Sequence, residues 1–270
     1  MTRALAEEAT IQWYPGHMAR AMRRLTDDLR AIDIVVEVAD ARVPLTGTNP
    51  SLGRLAGKRP RLLVLSRAQL ADPHTTDAWL AFYRERERVA IAIDAKDRGG
   101  AARLRAAVER LAGDRRSARV IVLGIPNAGK STAINALVAR NVARIEDRAG
   151  VTRARQWFRA GDNLEVMDTA GILVPRIASS EAQWKLAVVG AVPRARFDPE
   201  DVVARFHRWA VANLAGRAFP DLETFATSRG FIRRGTMIDV HNAAWAYLKD
   251  VGDGRFGRVS FEEPSDERGP

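Results

Sequence analysis

The sequence predicts an α/β protein, with a doubly wound, mostly parallel six-stranded sheet over residues 1–175 and a small helical domain over 176–270. Three observations carry this expectation. Short runs rich in Val, Ile and Leu alternate with amphipathic stretches of helical length, the pattern of strands buried on both faces and joined by crossover helices. One such run, 118–124, leads directly into a glycine-containing stretch, G-I-P-N-A-G-K-S-T. The alternation stops after Pro175, and from there helical patterns follow one another, separated by Gly, Pro and Asp.

In chain order, 17–32 (HMARAMRRLTDDLRAI) has helical spacing and precedes the first strand, 33–40 (DIVVEVAD). The runs 61–66 (RLLVLS) and 88–95 (RVAIAIDA) are the next strands, each followed or preceded by a helix at 77–87 or 99–113. The run 118–124 (ARVIVLG) is a fourth strand, and 129–140 continues from it as a helix. Two further strands are expected at 155–160 and 163–168. Beyond Pro175, helices are expected at 179–192, 199–215, 221–230 and 236–251, while 254–263 suits a hairpin or an extended tail. No internal repeat is present.

Composition narrows the classes of function. There is no cysteine, which excludes disulfides and thiolate metal sites. No stretch reaches the roughly 18 apolar residues needed to span a bilayer, so no membrane partner is expected. The first ten residues, MTRALAEEAT, lack the apolar segment of a secretory signal. A cytoplasmic protein fits these features. The net charge of +10 points to a polyanionic partner. That charge is uneven: residues 1–175 hold 29 Lys and Arg against 20 Asp and Glu, and residues 176–270 hold 14 against 13. Arginines gather at 97–120 and 140–159. Arginine that merely decorates solvated faces is the plain alternative.

The stretch Gly124–Thr132 has the form G-x-x-x-x-G-K-[ST] between an apolar strand and a helix. In that context backbone N–H groups of Asn127, Ala128, Gly129, Lys130, Ser131 and Thr132 cradle phosphates, with the helix N-terminus behind them. Lys130 reaches the β and γ oxygens, and the Ser131 hydroxyl ligates Mg²⁺. Asp168, at the end of the strand in LEVMDTAGIL, opens a D-x-x-G sequence of the GTPase kind. Its carboxylate can hold a Mg²⁺ water, and the Gly171 N–H can sense the γ-phosphate. Between them lies Thr152, in RAGVTRA, placed to give the second Mg²⁺ hydroxyl of a switch loop. A surface threonine is its simpler reading.

A GTPase also needs a base-reading N-K-x-D loop and a backing S-A-K loop, and neither follows residue 175. Their counterparts precede the phosphate loop: Ser66, Arg67 and Gln69 at the end of the second strand, and Asp94, Ala95 and Lys96 at the end of the third. The order is therefore base strand, backing strand, phosphate loop, switch loop, D-x-x-G, which is a circular permutation of the GTPase sheet.

This chain resembles, over essentially its whole length, the circularly permuted GTPases of the ribosome biogenesis GTPase A (YlqF and mitochondrial GTPase) type. The resemblance rests on IQWYPGHMARAM (11–22), VVEVADARVPLTGTNP (35–50), GIPNAGKST, AGVTR, DTAGIL, KLAVVGAV and RGFIRRG with IDVHNAAWAYLKD. It implies GTP hydrolysis coupled to assembly of the large ribosomal subunit through ribosomal RNA, with GTP or GDP and Mg²⁺ bound. A monomer is favoured and no DNA partner is expected. The arginines of 140–159 then surround a switch loop that changes order with the γ-phosphate, and can dock RNA in the GTP state.

Two departures stand out. The water-positioning Gln that follows D-x-x-G in small GTPases is replaced by Ile172, which cannot hydrogen-bond water. Intrinsic turnover is therefore expected to be slow. Asn127 occupies the position that in related GTPases helps hold a K⁺ ion, unless it serves only as a turn residue. His17 can orient water as a catalytic residue beside Lys130 and Thr152, unless it caps or packs the first helix. His74, His207 and His241 fit no pattern. The second departure is Ser66-Arg67-Ala68-Gln69 in place of N-K-x-D, which lacks the carboxylate that reads guanine; Asp72 is a substitute only if the loop shifts. Two other functions remain open on the sequence: a nucleotide-dependent RNA-binding switch with little hydrolysis or relaxed purine specificity, and, less consistent with Thr152 and D-T-A-G, a small-metabolite kinase.

Overall fold

The computed structural model describes residues 23–138, 144–145, 156–161, 163–168, 179–214, 216–232 and 237–268. Of these, residues 23–168 and 259–268 belong to an α/β unit and 179–258 to a helical unit.

The α/β unit is built on one sheet. Its strands are β1 (Ile34–Asp40), β2 (Arg61–Ser66), β3 (Ala90–Ala92), β4 (Ala118–Gly124), β5 (Arg144–Ile145), β6 (Gln156–Ala160) and β7 (Leu164–Asp168). They lie in the order β3-β2-β1-β4-β7-β6-β5. The five strands from β3 to β7 are parallel, and β6 and β5 add antiparallel pairs at one side. All six expected strands form. The seventh, β5, has two residues, too few to leave a periodic trace in the sequence. β3 is also shorter than the run 88–95, although Val89 and Ile93 on either side of it still bond to Leu63 and Leu65 of β2.

Helices flank the sheet: α1 (23–29 as described), α2 (Pro50–Ala56), α3 (Pro73–Glu85), α4 (Arg98–Ala112) and α5 (Lys130–Val138). Leu25, Leu29, Ile32, Leu52 and Ala56 bury against Val35, Ile121 and Leu123. On the same face Trp79, Phe82 and Tyr83 of α3 pack on Ala39, Leu63 and Leu65. The chain steps outward from β1 to β3 on this face. It then returns from β3 to β4 through α4, which crosses β2 and β1 in the opposite direction. Right-handed crossovers place that return on the other face. The reversal falls between β1 and β4, which makes the crevice beyond their C-terminal ends the ligand-binding position of an open α/β sheet.

α2 was not expected from the sequence. It is seven residues long and contains Gly53, so its own propensity is low. Asn49 caps it by accepting from the Ser51 N–H at 3.0 Å, Pro50 sits at its first position, and Leu52 and Ala56 supply its buried stripe.

In the helical unit, α6 (Ser180–Val188), α7 (Pro199–Asn213), α8 (Leu222–Ser228) and α9 (Val240–Gly252) each follow a side-chain cap. Ser179, Asp198, Asp221 and Asp239 accept from N–H groups of the first turns. Phe206, Phe225 and Tyr247 form an aromatic core, with Phe225 and Tyr247 ring centroids 4.9 Å apart.

The expected C-terminal boundary needs correction. Residues 259–268 belong to the α/β unit, not to the helical domain assigned to 176–270. Val259 and Phe261 are buried, and their N–H groups donate to the carbonyls of Leu70 and Arg42. Two alternating apolar residues were too short a signal to say which unit would cover them. Of the two forms open to 254–263, the described chain forms no hairpin there, and ends in a 3₁₀ turn at Pro264–Arg268.

Candidate nucleotide site

The site grows from the C-terminal ends of four parallel strands. Register places Asp40 beside Ser66, Val38 beside Gly124, and Val122 beside Asp168. The turn after β4 therefore lies between the base-loop strands on one side and the D-x-x-G strand on the other.

Gly124 opens the loop at φ +153°, and a Cβ there would lie 2.2 Å from the Val38 carbonyl oxygen. Only glycine lets β4 turn this close to β1. Asn127 has φ 57°, a left-handed conformation that asparagine tolerates through its short polar side chain. The Ala128 N–H closes a turn onto Ile125 O at 3.3 Å, and α5 starts at Lys130, so its N-terminal N–H groups face the loop. Lys130 is buried, and its Nζ donates to the Ile125 carbonyl at 2.8 Å. The ammonium is thus curled over the loop that would hold the phosphates. Burial pulls its pKa below the ordinary lysine value, and the charge of Asp168 works against that pull. Asp168 ends the strand beside β4, which leads into this loop. Ser131 is exposed on the first turn of α5 and Thr132 is half-buried.

The base-loop residues converge on the same place. The Ser66 hydroxyl is buried against the carbonyls of Ala39 at 3.1 Å and of Ala128 in the phosphate loop. It joins the two loops, the task that the Asn of N-K-x-D performs. Arg67 has φ 54°, and its guanidinium pairs with Asp40 at 3.3 Å. Gln69 is exposed on the 3₁₀ turn Ala68–Leu70. The Ala68 N–H donates to Ile93 O at 3.2 Å, which draws in the turn of Asp94, Ala95 and Lys96. That turn is closed by Asp94 Oδ1, which accepts from the Lys96 N–H at 2.9 Å. Asp72 does not replace the missing carboxylate, because its Oδ1 accepts from the Thr75 N–H at 2.9 Å and caps α3.

Two residues near the site went unassigned on the sequence. Asp40 and Arg42, both buried, form a fork with Nε and Nη2 of Arg42 at 2.9 and 2.8 Å from the two carboxylate oxygens. Since Asp40 also holds Arg67, this pair fixes the side chain that leads the base loop. The D-A-R sequence was visible, but no pattern in it says that its carboxylate meets an arginine 27 positions away. His17, Thr152 and Gly171 lie outside the described residues.

A parallel P-loop sheet with a D-x-x-G strand beside the loop, and with the base-loop strands N-terminal to it, defines a circularly permuted GTPase. Residues 119–198 match the family described as 50S ribosome-binding GTPase. The chain is 34% identical over 280 residues to Ribosome biogenesis GTPase A of Bacillus cereus, with 95% of each chain covered. It is 33% identical to the protein of that name from Thermotoga maritima, again over 95% of each. The crystal structure of GNP-bound YlqF from T. maritima aligns with a TM-score of 0.72 at 29% identity, covering 91% of this chain and 98% of that one. A GDP-bound YlqF structure aligns with the same TM-score at 32% identity, covering 90% and 100%. The chain belongs to the ribosome biogenesis GTPase A family. It is a GTPase that binds guanine nucleotides.

Proposed function

We propose that this protein is a GTP-hydrolysing assembly factor for the large ribosomal subunit that grips ribosomal RNA according to its bound nucleotide. The observation that carries the reading is that Asp168 ends β7 beside β4, the strand that leads into the phosphate loop and to Lys130 at the start of α5, in a basic, permuted GTPase sheet. In it, N–H groups of 127–132 bind the phosphates and Lys130 leaves the Ile125 carbonyl for their charge. The oxygen donors Ser131 and Asp168, with Thr152, suit Mg²⁺, a hard cation that takes oxygen ligands. When bound, the ion neutralises charge on the β and γ oxygens. Gly171 would report the γ-phosphate to the arginines of 140–159. Asn127 would hold K⁺ and His17 would orient water in place of the glutamine that Ile172 displaces. Soluble, monomeric action in the cytoplasm is part of the same reading.

A second reading is favoured by one observation. Asp72 is engaged as a helix cap and Gln69 is exposed, so among the described residues of this loop no carboxylate is placed to read the guanine edge. Discrimination between purines is then relaxed.

Phosphate release from GTP, measured with and without purified large ribosomal subunits in K⁺ and in Na⁺, tests the function. Slow release by the chain alone, acceleration by subunits and a higher rate in K⁺ are expected. Equal rates with and without subunits would sink the assembly-factor reading, and equal rates in the two salts would remove the K⁺ role of Asn127.

A further inference from the structure

Four residues of the returning segment, Val259–Glu262, are bonded to the loops after β1 and β2, which carry the base side of the site, and to α3. The Val259 N–H donates to Leu70 O at 2.9 Å. The Ser260 hydroxyl accepts from the Asp72 N–H at 3.1 Å. The Phe261 N–H donates to Arg42 O at 2.8 Å. The Glu262 carbonyl accepts from Trp79 Nε1 at 3.0 Å, and its carboxylate accepts from the N–H groups of Leu45 at 2.7 Å and Thr46 at 3.2 Å. Val259, Phe261 and Glu262 are all buried, Glu262 to 3% exposure.

These bonds bracket the residues assigned to the purine. Arg67 and Gln69 lie between Ser66, tied to the phosphate loop, and Leu70, tied to Val259. From the side, Arg67 is held by Asp40, Asp40 by Arg42, and the Arg42 carbonyl by Phe261. The loop of Leu45 and Thr46, which carries the chain away from Arg42, is fastened by the buried carboxylate of Glu262. Backbone N–H groups bound to a buried carboxylate make short, charge-assisted hydrogen bonds. Without the Glu262 carboxylate, the amides of Leu45 and Thr46, in the loop that follows Arg42, lose their fixed partner.

We infer that the returning tail Val259–Glu262 is a latch that sets the shape of the purine-reading loop, and that Glu262 is a positioning residue for base recognition. The tail touches neither the phosphate loop nor the D-x-x-G strand in any of these bonds, so its effect is confined to the base end of the nucleotide. The inference rests on the assignment of Ser66–Gln69 to the base.

The test is competition against a fluorescent GTP analogue on the full-length chain, with GTP and with ribose 5′-triphosphate, which keeps the phosphates and lacks the base. Glu262→Ala is expected to weaken GTP by about tenfold, the size of one lost charge-assisted bond, and to leave ribose triphosphate unchanged. Glu262→Gln, which keeps one acceptor and serves if the alanine variant does not fold, should lose roughly threefold for GTP alone. Arg67→Ala should show the same selective loss, and the double variant should lose less than the two separate losses combined, because the residues act in one chain of contacts. If both Glu262 variants weaken the two ligands equally, or weaken neither, while Arg67→Ala weakens GTP alone, the latch is wrong and the base assignment stands. If Arg67→Ala also leaves the ratio of the two ligands unchanged, the base assignment fails and takes the latch with it.

Discussion

In the proposed base site, Gln69 presents one acceptor oxygen and one donor amide to a guanine edge that offers two donors. Guanine N1–H and its 2-amino group suit a carboxylate, and the amide meets one of them with a donor. Replacing Gln69 by Asp should therefore strengthen GTP relative to ATP and XTP by about 1.5–3 kcal/mol, roughly ten- to a hundredfold, in a competition titration. A strong wild-type preference for GTP that Gln69→Asp leaves unmoved would mean that guanine is read elsewhere. At this scale the phosphate loop was legible because its residues are contiguous and each has one task. The cap made by Asp72 was not legible, because the helical pattern is evident only from residue 77, whereas α3 starts at Pro73 with Asp72 before it. The Arg42–Asp40–Arg67 chain was not legible, because a contact between strand ends has no spacing rule in sequence.

Among the elements, β1, β2 and β4 were legible because strands buried on both faces are mostly apolar, and β1 is buried at all seven positions, with its two acidic residues, Glu37 and Asp40, paired to arginines. α2 and β5 are too short to show a period. The placement of α4 depends on a single glycine. Asp97 caps this helix by accepting from the Gly100 N–H at 3.1 Å, and a Cβ on Gly100 would lie 1.9 Å from the Asp94 carbonyl oxygen. Gly100→Ala must push the helix away from the turn of Asp94, Ala95 and Lys96 or distort the turn itself. Overpacking of this kind costs about 1–3 kcal/mol. Denaturant unfolding should record that loss, and GTP affinity should fall with it, since the displaced turn backs the base. Unchanged stability would show that α4 shifts freely and that its close approach does not shape the site.

Over the whole molecule, the sequence located the change from strands to helices but not the return of the tail, whose bond from Leu45 N–H to Glu262 spans 217 positions. Charge, by contrast, is a property of the whole that composition reports directly. Structure divides the arginines of 97–120 into two groups. Arg105 donates to Ala136 O, Arg115 to the last carbonyls of α4, and Arg119 pairs with Glu165. Arg98, Arg103, Arg110 and Arg116 are exposed. The second cluster, 140–159, lies largely outside the described residues. An RNA grip made by exposed guanidinium groups releases counterions for each phosphate neutralised, and affinity then falls as a power of salt concentration. Binding of structured RNA should give a slope of log K against log salt steeper than about −2, the value for two or three phosphate contacts. A non-hydrolysable GTP analogue should steepen it if the switch arginines dock only in the GTP state. Replacing Arg103 and Arg110 together by Gln should flatten the slope by an amount independent of nucleotide, because α4 is not part of the switch. A slope that the analogue leaves unchanged would separate the basic surface from the nucleotide cycle, and a slope that is flat from the start would leave its charge to solvation alone.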